Sequence, residues 1–424
     1  MLTAAPKGTH DILPADSARW HHIERTALSI AEHFGFFEIR TPTFEHTELF
    51  CRAVGDTTDV VQKEMYTFMD KGNRSVTLRP EGTAGVVRAA IENNLLTGQL
   101  PIKASYIINC FRYEKPQAGR LREFHQFGVE SLGSDSAGAD AETILLASEV
   151  LRALGVTKTT LFLNSIGCKA CRPEYQKKLR EYFQAHRDVL CSTCLTRLET
   201  NPLRIIDCKC PDCKALVADA PKMLDHLCPA CAAHFDEVKT RLDAMGVDYQ
   251  LDPDIVRGLD YYMRTVFEFV TDTIGAQGTV CGGGRYDGLI EELGGPALPG
   301  VGFAMGLERL LLVMASSGVV ETPFSRCALY IAPMGAAASA TAGALAARLR
   351  AVGIWSESDV MGRSLKAQLR YADKLGARFT MVLGDEELHK GEAAIKDMST
   401  GVQIPLMLNS DFAVSFCALL QNNG

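Results

Sequence analysis

Two phrases on either side of a short polar loop constrain this chain more than anything else in it. Phe111-Arg112-Tyr113-Glu114 is followed, after a loop holding Pro116 and Gly119, by Arg122-Glu123-Phe124-His125-Gln126-Phe127-Gly128-Val129-Glu130. They read as a strand, a turn and a returning strand. Successive strand side chains point to opposite faces. Phe124, Gln126, Gly128 and Glu130 therefore share one face of the returning strand, while Phe127 and Val129 on the other suit a core. Arg112 and Glu114 share a face of the outgoing strand. One side of the hairpin thus gathers a planar cation, a carboxylate, an aromatic ring and further polar groups, a surface suited to a nucleotide and a small polar substrate. Far along the chain, Gly300-Val301-Gly302-Phe303-Ala304-Met305-Gly306-Leu307-Glu308-Arg309 closes on a second arginine.

At 424 residues the chain is long enough for two or three domains with their own cores. Its apolar content of 47% and charged content of 22% are ordinary for a soluble globular protein. A net charge of −7 argues against a basic nucleic-acid coat but leaves room for local basic patches. The segment from Met1 to Lys7 lacks the apolar core of a signal peptide. The longest apolar stretch, near Leu310–Ala315, is far short of a membrane span. Fourteen cysteines without an export signal point to thiols or metal rather than disulfides. The expectation is a cytoplasmic protein with no membrane contact.

Trp20, Ile23, Ala27, Ile30 and Phe34 recur at helical steps, with Asp16 or Ser17 suited to cap the start and Gly35 the end. A strand over Phe36–Arg40 is stopped by Pro42. Strands dominate from Thr77 to Leu132 and again from Tyr249 to Ala304. Between them, Leu154–Gly246 holds nine of the fourteen cysteines and reads as an insertion interrupting the sheet. Beyond Thr322-Pro323 the pattern changes. Strands at Leu329–Ala332, Ile354–Ser356 and Phe379–Leu383 alternate with helices at Ala336–Val352 and Ser364–Leu375. That alternation predicts a separate α/β domain with a parallel sheet. Arg363, Lys366, Arg370 and Lys374 form a basic stripe suited to RNA along the second of these helices. The expected division is 1–153, 154–246, 247–322 and 323–424.

The insertion carries four CxxC pairs: Cys168/Cys171, Cys191/Cys194, Cys210/Cys213 and Cys228/Cys231, with Cys208 a ninth thiol beside the third. Zn²⁺ commonly takes four thiolates supplied as two such pairs. Two structural zinc sites, or one site plus spare thiols, both fit the count, and spacing leaves open which pairs join.

The hairpin phrase resembles motif 2 of the class II aminoacyl-tRNA synthetases, the Gly300–Arg309 phrase their motif 3, and the first helix and strand with Pro42 their dimer-forming motif 1. Three further phrases narrow the resemblance to the histidyl-tRNA synthetase family: Thr77-Leu78-Arg79-Pro80-Glu81-Gly82-Thr83, Arg257-Gly258-Leu259-Asp260-Tyr261-Tyr262 and Gly282-Gly283-Gly284-Arg285-Tyr286-Asp287-Gly288. The likeness runs nearly the full length. It implies an α+β fold with the class II antiparallel sheet, the cysteine-rich insertion and a C-terminal α/β anticodon-binding domain. The partners implied are ATP with Mg²⁺, L-histidine, tRNA(His) and a second copy of the chain. Zinc is not a usual requirement of the family, so the cysteines depart from its pattern.

By the same resemblance, Arg112 contacts the α-phosphate and Arg309 holds the outer phosphates. Phe124 stacks under the adenine and Glu114 accepts from its exocyclic amine. Arg257 bridges the histidine carboxylate and the α-phosphate; it and Arg112 are the catalytic candidates. Arginine suits both tasks because its fork stays charged and binds oxygen pairs. Glu81, Thr83 and Gln126 suit the α-amino group. Glu130 and Tyr262 pair with the ring nitrogens, and Tyr261 and Tyr286 wall the pocket, although half-buried core is an open alternative for Tyr261. Lys115, Gln117 and Arg120 in the loop suit the tRNA acceptor end. The rival reading is the synthetase-like, histidine-sensing regulatory subunit of ATP phosphoribosyltransferase. That paralogue lacks the anticodon domain and carries degraded signature phrases, whereas this chain keeps Arg257, Arg309 and a full C-terminal region.

Overall fold

Pro14 opens the first helix, Pro14–His33, one turn earlier than Asp16 or Ser17 would. Proline fits the first helical position because its missing N–H would have no partner there, and no side chain caps this end. Trp20, Ile23 and Ala27 form the buried stripe, and Gly35 leaves the helix at φ +79°. A computed structural model of the chain describes residues 3–55, 58–256, 259–273, 278–318 and 326–422. It divides into two compact units, 1–321 and 322–424.

Among the described residues the first unit holds eleven strands: β1 Phe37–Glu38, β2 Phe44–His46, β3 Tyr66–Met69, β4 Ser75–Leu78, β5 Ile102–Phe111, β6 Glu123–Leu132, β7 Thr160–Ser165, β8 Gln250–Leu251, β9 Met263–Val270, β10 Thr279–Arg285 and β11 Gly300–Gly306. Eight of them make the principal sheet, ordered β1-β5-β6-β11-β10-β9-β7-β8. Every pairing from β5 to β7 is antiparallel. The two outermost pairings, β1 with β5 and β7 with β8, are parallel, so the expected antiparallel sheet changes sense at both edges. Parallel neighbours need a long crossover. One is supplied by the excursion through β2, β3 and β4, the other by the cysteine-bearing helices. Phe127, Val129, Phe267 and Phe303 on one face pack with the first helix and with the helices Ala137–Ala153 and Pro229–Ala244.

β7 lies inside the expected 154–246 insertion yet pairs with β9 in the principal sheet. Phe235, Val238 and Leu242 likewise belong to the principal core. The small interior around Tyr175, Leu179, Phe183, Leu198, Ile205 and Val217 draws only on residues from Cys168 to Cys231.

The second unit carries β12 Leu329–Pro333, β13 Ser356–Ser358, β14 Phe379–Leu383, β15 Glu392–Asp397 and β16 Gln403–Met407, ordered β13-β12-β14-β15-β16. The first three are parallel as expected. β15 and β16 are antiparallel additions that alternation did not predict. The few residues between them permit a hairpin and nothing longer.

Candidate active site

The face of β6 opposite the core supplies Phe124, Gln126 and Glu130. Glu130 is fully buried, and its carboxyl oxygens accept the hydroxyls of Thr83 at 2.7 Å, of Tyr106 at 3.0 Å and of Tyr286. Burial, partly offset by those hydroxyls, pushes its carboxyl up to about 8. The site has room for these groups because two neighbours lack side chains. A Cβ on Gly128 would lie 2.3 Å from Tyr106 Cζ, and one on Gly302 would lie 2.0 Å from Glu130 Oε2. Glu81 accepts the main-chain N–H groups of Thr83 and Ala84 at 2.7 and 2.9 Å, at the start of the helix Thr83–Glu92. Burial raises its carboxyl as well. The Tyr261 ring stands 4.7 Å from that of Tyr262 and 5.6 Å from that of Tyr286.

Beside this nest the arginines converge on a cleft of about 960 Å³, counting its open mouth. Arg112, Glu114, Arg120, Phe124, Gln126, Tyr262 and Arg309 all line it. Arg112 follows the last residue of β5, with Nε donating to the Pro80 carbonyl at 2.9 Å and the guanidinium 5.3 Å from the Phe124 ring centre. Arg309 donates to the carbonyls of Gly119 at 2.9 Å and Thr279 at 2.6 Å. Its neighbour Glu308 accepts the His125 main-chain N–H and ring Nδ1, both at 2.9 Å, tying the Gly300–Arg309 phrase to β6. Burial, then the nearby Arg120 charge, holds the Arg309 guanidinium below its ordinary value. A cleft that crowds cations in this way favours an anion.

The structure gathers Glu81, Thr83, Gln126, Tyr261 and Tyr262 around the end of the cleft where Glu130 and Tyr286 lie buried behind them. Glu114 does not stand alone to meet an amine, because Arg120 Nε lies 2.6 Å from its carboxylate. Arg120 therefore turns into the cleft, while Lys115 and Gln117 of the same loop face outward. Arg257 lies outside the described residues. Tyr106 is the residue sequence reasoning missed. Its signal was Gly128, a glycine within a strand, which marks a bulky group approaching closely, and the two are register partners.

The cysteines fall into two groups able to hold a metal ion: Cys168, Cys171, Cys228 and Cys231, and Cys191, Cys194, Cys208 and Cys213. Cys208 takes the place expected of Cys210. Cys210 contributes its main-chain N–H instead, which points at Cys208 Sγ at 3.4 Å.

A largely antiparallel sheet, with an arginine-lined cleft on one face and motifs 2 and 3 joined through His125 and Glu308, defines the core of a class II aminoacyl-tRNA synthetase. The histidyl-tRNA synthetase family profile matches residues 8–310, and the profile of an anticodon binding domain matches residues 328–416. The chain is 54% identical to a histidine–tRNA ligase of Acetivibrio thermocellus over 97% of its length and 98% of that relative. It is 52% identical to one of Caldanaerobacter subterraneus over 96% and 98%. The apo histidyl-tRNA synthetase of S. aureus superposes with a TM-score of 0.84 at 39% identity, covering 98% of this chain and all of that one. The chain belongs to the histidyl-tRNA synthetase family.

Proposed function

We infer that the chain activates L-histidine with ATP and passes it to tRNA(His). The histidine carboxylate attacks the α-phosphorus, pyrophosphate leaves, and the terminal adenosine hydroxyl of the tRNA then attacks the acyl carbon and releases AMP. The observation that carries this reading is the convergence of Arg112, Arg120 and Arg309 on one cleft beside the Glu81–Thr83–Glu130 nest. Preorganised cations stabilise charge as it develops on phosphoryl oxygens. Mg²⁺ enters with ATP as part of the substrate. Buried acids and hydroxyls suit an ammonium and an imidazole, and a site that hydrogen-bonds a ring rejects analogues lacking the partner atoms. In this reading Arg257 joins the histidine carboxylate to the α-phosphate, and Phe124 stacks on the adenine. Glu130 acts on the imidazole together with the hydroxyls it holds. Lys115 and Gln117 meet the acceptor end.

Residues 1–165 and 232–321 form the catalytic core, 166–231 the insertion with structural Zn²⁺, and 322–424 the anticodon-binding domain. The chain works as a cytoplasmic homodimer. Phe37 on edge strand β1 and Phe44 on β2 are exposed at 68% and 56%, as a pairing surface requires. Among the described residues no helix is long and apolar enough to cross a membrane. The regulatory-subunit reading is weaker, because the anticodon-domain profile covers most of the second unit. The test is ATP–pyrophosphate exchange with each proteinogenic amino acid. Exchange driven by histidine alone is expected, and exchange with a different amino acid, or with none, overturns the assignment.

A further inference from the structure

We propose that the insertion holds two tetrathiolate zinc ions, and that each fixes an arginine which props the Asp260–Tyr262 segment of the histidine pocket from behind. The first ion is held by Cys168, Cys171, Cys228 and Cys231, the second by Cys191, Cys194, Cys208 and Cys213. The link to histidine rests on the function proposed above; the metal sites do not.

Tetrahedral zinc with sulfur at about 2.3 Å places its sulfurs about 3.8 Å apart. Cys168 Sγ lies 3.6 Å from Cys171 Sγ and 3.9 Å from Cys228 Sγ, and Cys191 Sγ lies 3.9 Å from Cys208 Sγ. A disulfide needs about 2.05 Å. Main-chain N–H groups point at four of the sulfurs, from Ala170 to Cys168 at 3.4 Å, Cys228 to Cys171 at 3.1 Å, Cys191 to Cys213 at 3.3 Å and Cys210 to Cys208 at 3.4 Å. Such donors favour metal-bound thiolates, whose protons leave as the ion binds. The insertion's interior is small and counts Cys171, Cys194, Cys213 and Cys231 among its buried members, so its folding needs a staple.

Each site sits beside one prop. Arg172 directly follows Cys171, and its guanidinium donates to the Tyr262 carbonyl. The same loop exchanges main-chain hydrogen bonds with Arg264, from Ile166 to Arg264 and from Arg264 to Gly167, both at 2.8 Å. Arg264 has φ +51°, a left-handed conformation that its surroundings must hold in place. Cys228 and Cys231 open the helix Pro229–Ala244, which is anchored in the principal core, so the first ion ties this loop to a fixed point. Arg204 lies between Cys194 and Cys208 on the short helix Leu203–Ile206 and meets the Asp260 carboxylate at 2.7 Å. Arg172 and Arg204 are thus positioning residues for a tyrosine wall that the metals themselves never touch.

The experiment combines zinc analysis with exchange kinetics on the full chain. Wild-type protein is expected to carry two zinc ions per chain, each with four sulfur neighbours at about 2.3 Å by zinc-edge X-ray absorption. Cys210→Ser should keep both ions and Cys208→Ser should lose one. Arg172→Ala and Arg204→Ala should keep both ions and raise the histidine KM roughly three- to tenfold with the ATP KM unchanged. Arg204→Lys should recover part of that loss. Fewer than two ions, nitrogen or oxygen in the shell, loss of an ion from Cys210→Ser, or an unchanged histidine KM in both arginine variants overturns the proposal. The X-ray absorption and arginine measurements decide it even where a cysteine variant does not fold. A wild-type enzyme that ignores histidine would instead sink the functional reading and leave the metal result standing.

Discussion

Arg120 and Glu114 approach to 2.6 Å inside the cleft, so the loop that presents Lys115 and Gln117 to solvent turns its last cation inward. The Arg120 side chain keeps 35% of its surface exposed and Glu114 only 11%, which leaves the arginine the more accessible partner for an incoming anion. Arg120→Ala is therefore expected to raise the ATP KM in pyrophosphate exchange by about 10- to 100-fold, the loss of a charge-assisted contact of about 1.5–3 kcal/mol. Lys115→Ala and Gln117→Ala should leave exchange alone and weaken charging. An ATP KM unmoved by Arg120→Ala, with tRNA alone affected, would return Arg120 to the acceptor end.

Glu130 yields a prediction about pH. Its carboxyl is raised from 4.5 to about 8 by burial, so the folded protein keeps a proton that the unfolded chain releases. The resulting stabilisation is full below about pH 4.5 and is lost as pH rises through about 8, with a slope of at most about 1.4 kcal/mol per pH unit. Glu130→Gln removes that proton from the balance. Urea unfolding of both proteins at several values between pH 5 and pH 8 should show wild type losing stability relative to the variant as pH rises. Parallel curves would mean that the carboxyl titrates in its ordinary range.

The returning strand of the hairpin was legible because period two assigns faces without further information, whereas Arg112 and Glu114 lie past the end of β5 rather than on one face of it, and Arg309 stands on the helix Leu307–Ser316. Phe127 and Val129 entered the core, and Phe124 and Gln126 line the cleft. Tyr106 was not legible. Its role depends on Gly128 across the sheet and on Thr83 and Tyr286 from distant segments, which only the fold brings to Glu130. The exchange of Cys208 for Cys210 had the same cause, since CxxC spacing cannot say which of two nearby thiols the fold brings to the other three. The parallel edge pairings escaped because strands of two residues carry no periodicity.

Arg257 stands in the phrase that most resembles the family's own, and its assignment rests on that resemblance. A donor that meets charge only in the transition state contributes roughly 3–4 kcal/mol. Arg257→Ala is expected to lower adenylate formation by about two to three orders of magnitude with circular dichroism and melting unchanged. Arg257→Lys should recover little, because a point charge does not bridge two groups as a planar fork does. Near-normal exchange in either variant would remove Arg257 from the reaction.

Ending the chain at residue 321 is expected to separate the two half-reactions. Every residue proposed for ATP or histidine lies in the first unit, which has its own cores, so histidine-dependent exchange should persist in the truncated protein. The second unit matches an anticodon binding domain, and Lys366, Arg370 and Lys374 stand exposed on the helix Leu365–Leu375. Arg363 leaves the expected stripe, because Asp359 holds it at 2.9 Å and it lies 4.4 Å from the Tyr371 ring centre. In the full chain, changing the three exposed cations together to alanine should weaken tRNA binding and flatten its dependence on salt, since each phosphate contact releases counterions. Exchange should stay as in wild type. Charging unaffected by both the truncation and the triple variant would show that this domain serves something other than tRNA, and exchange lost with the truncation alone would show that the first unit depends on it to fold.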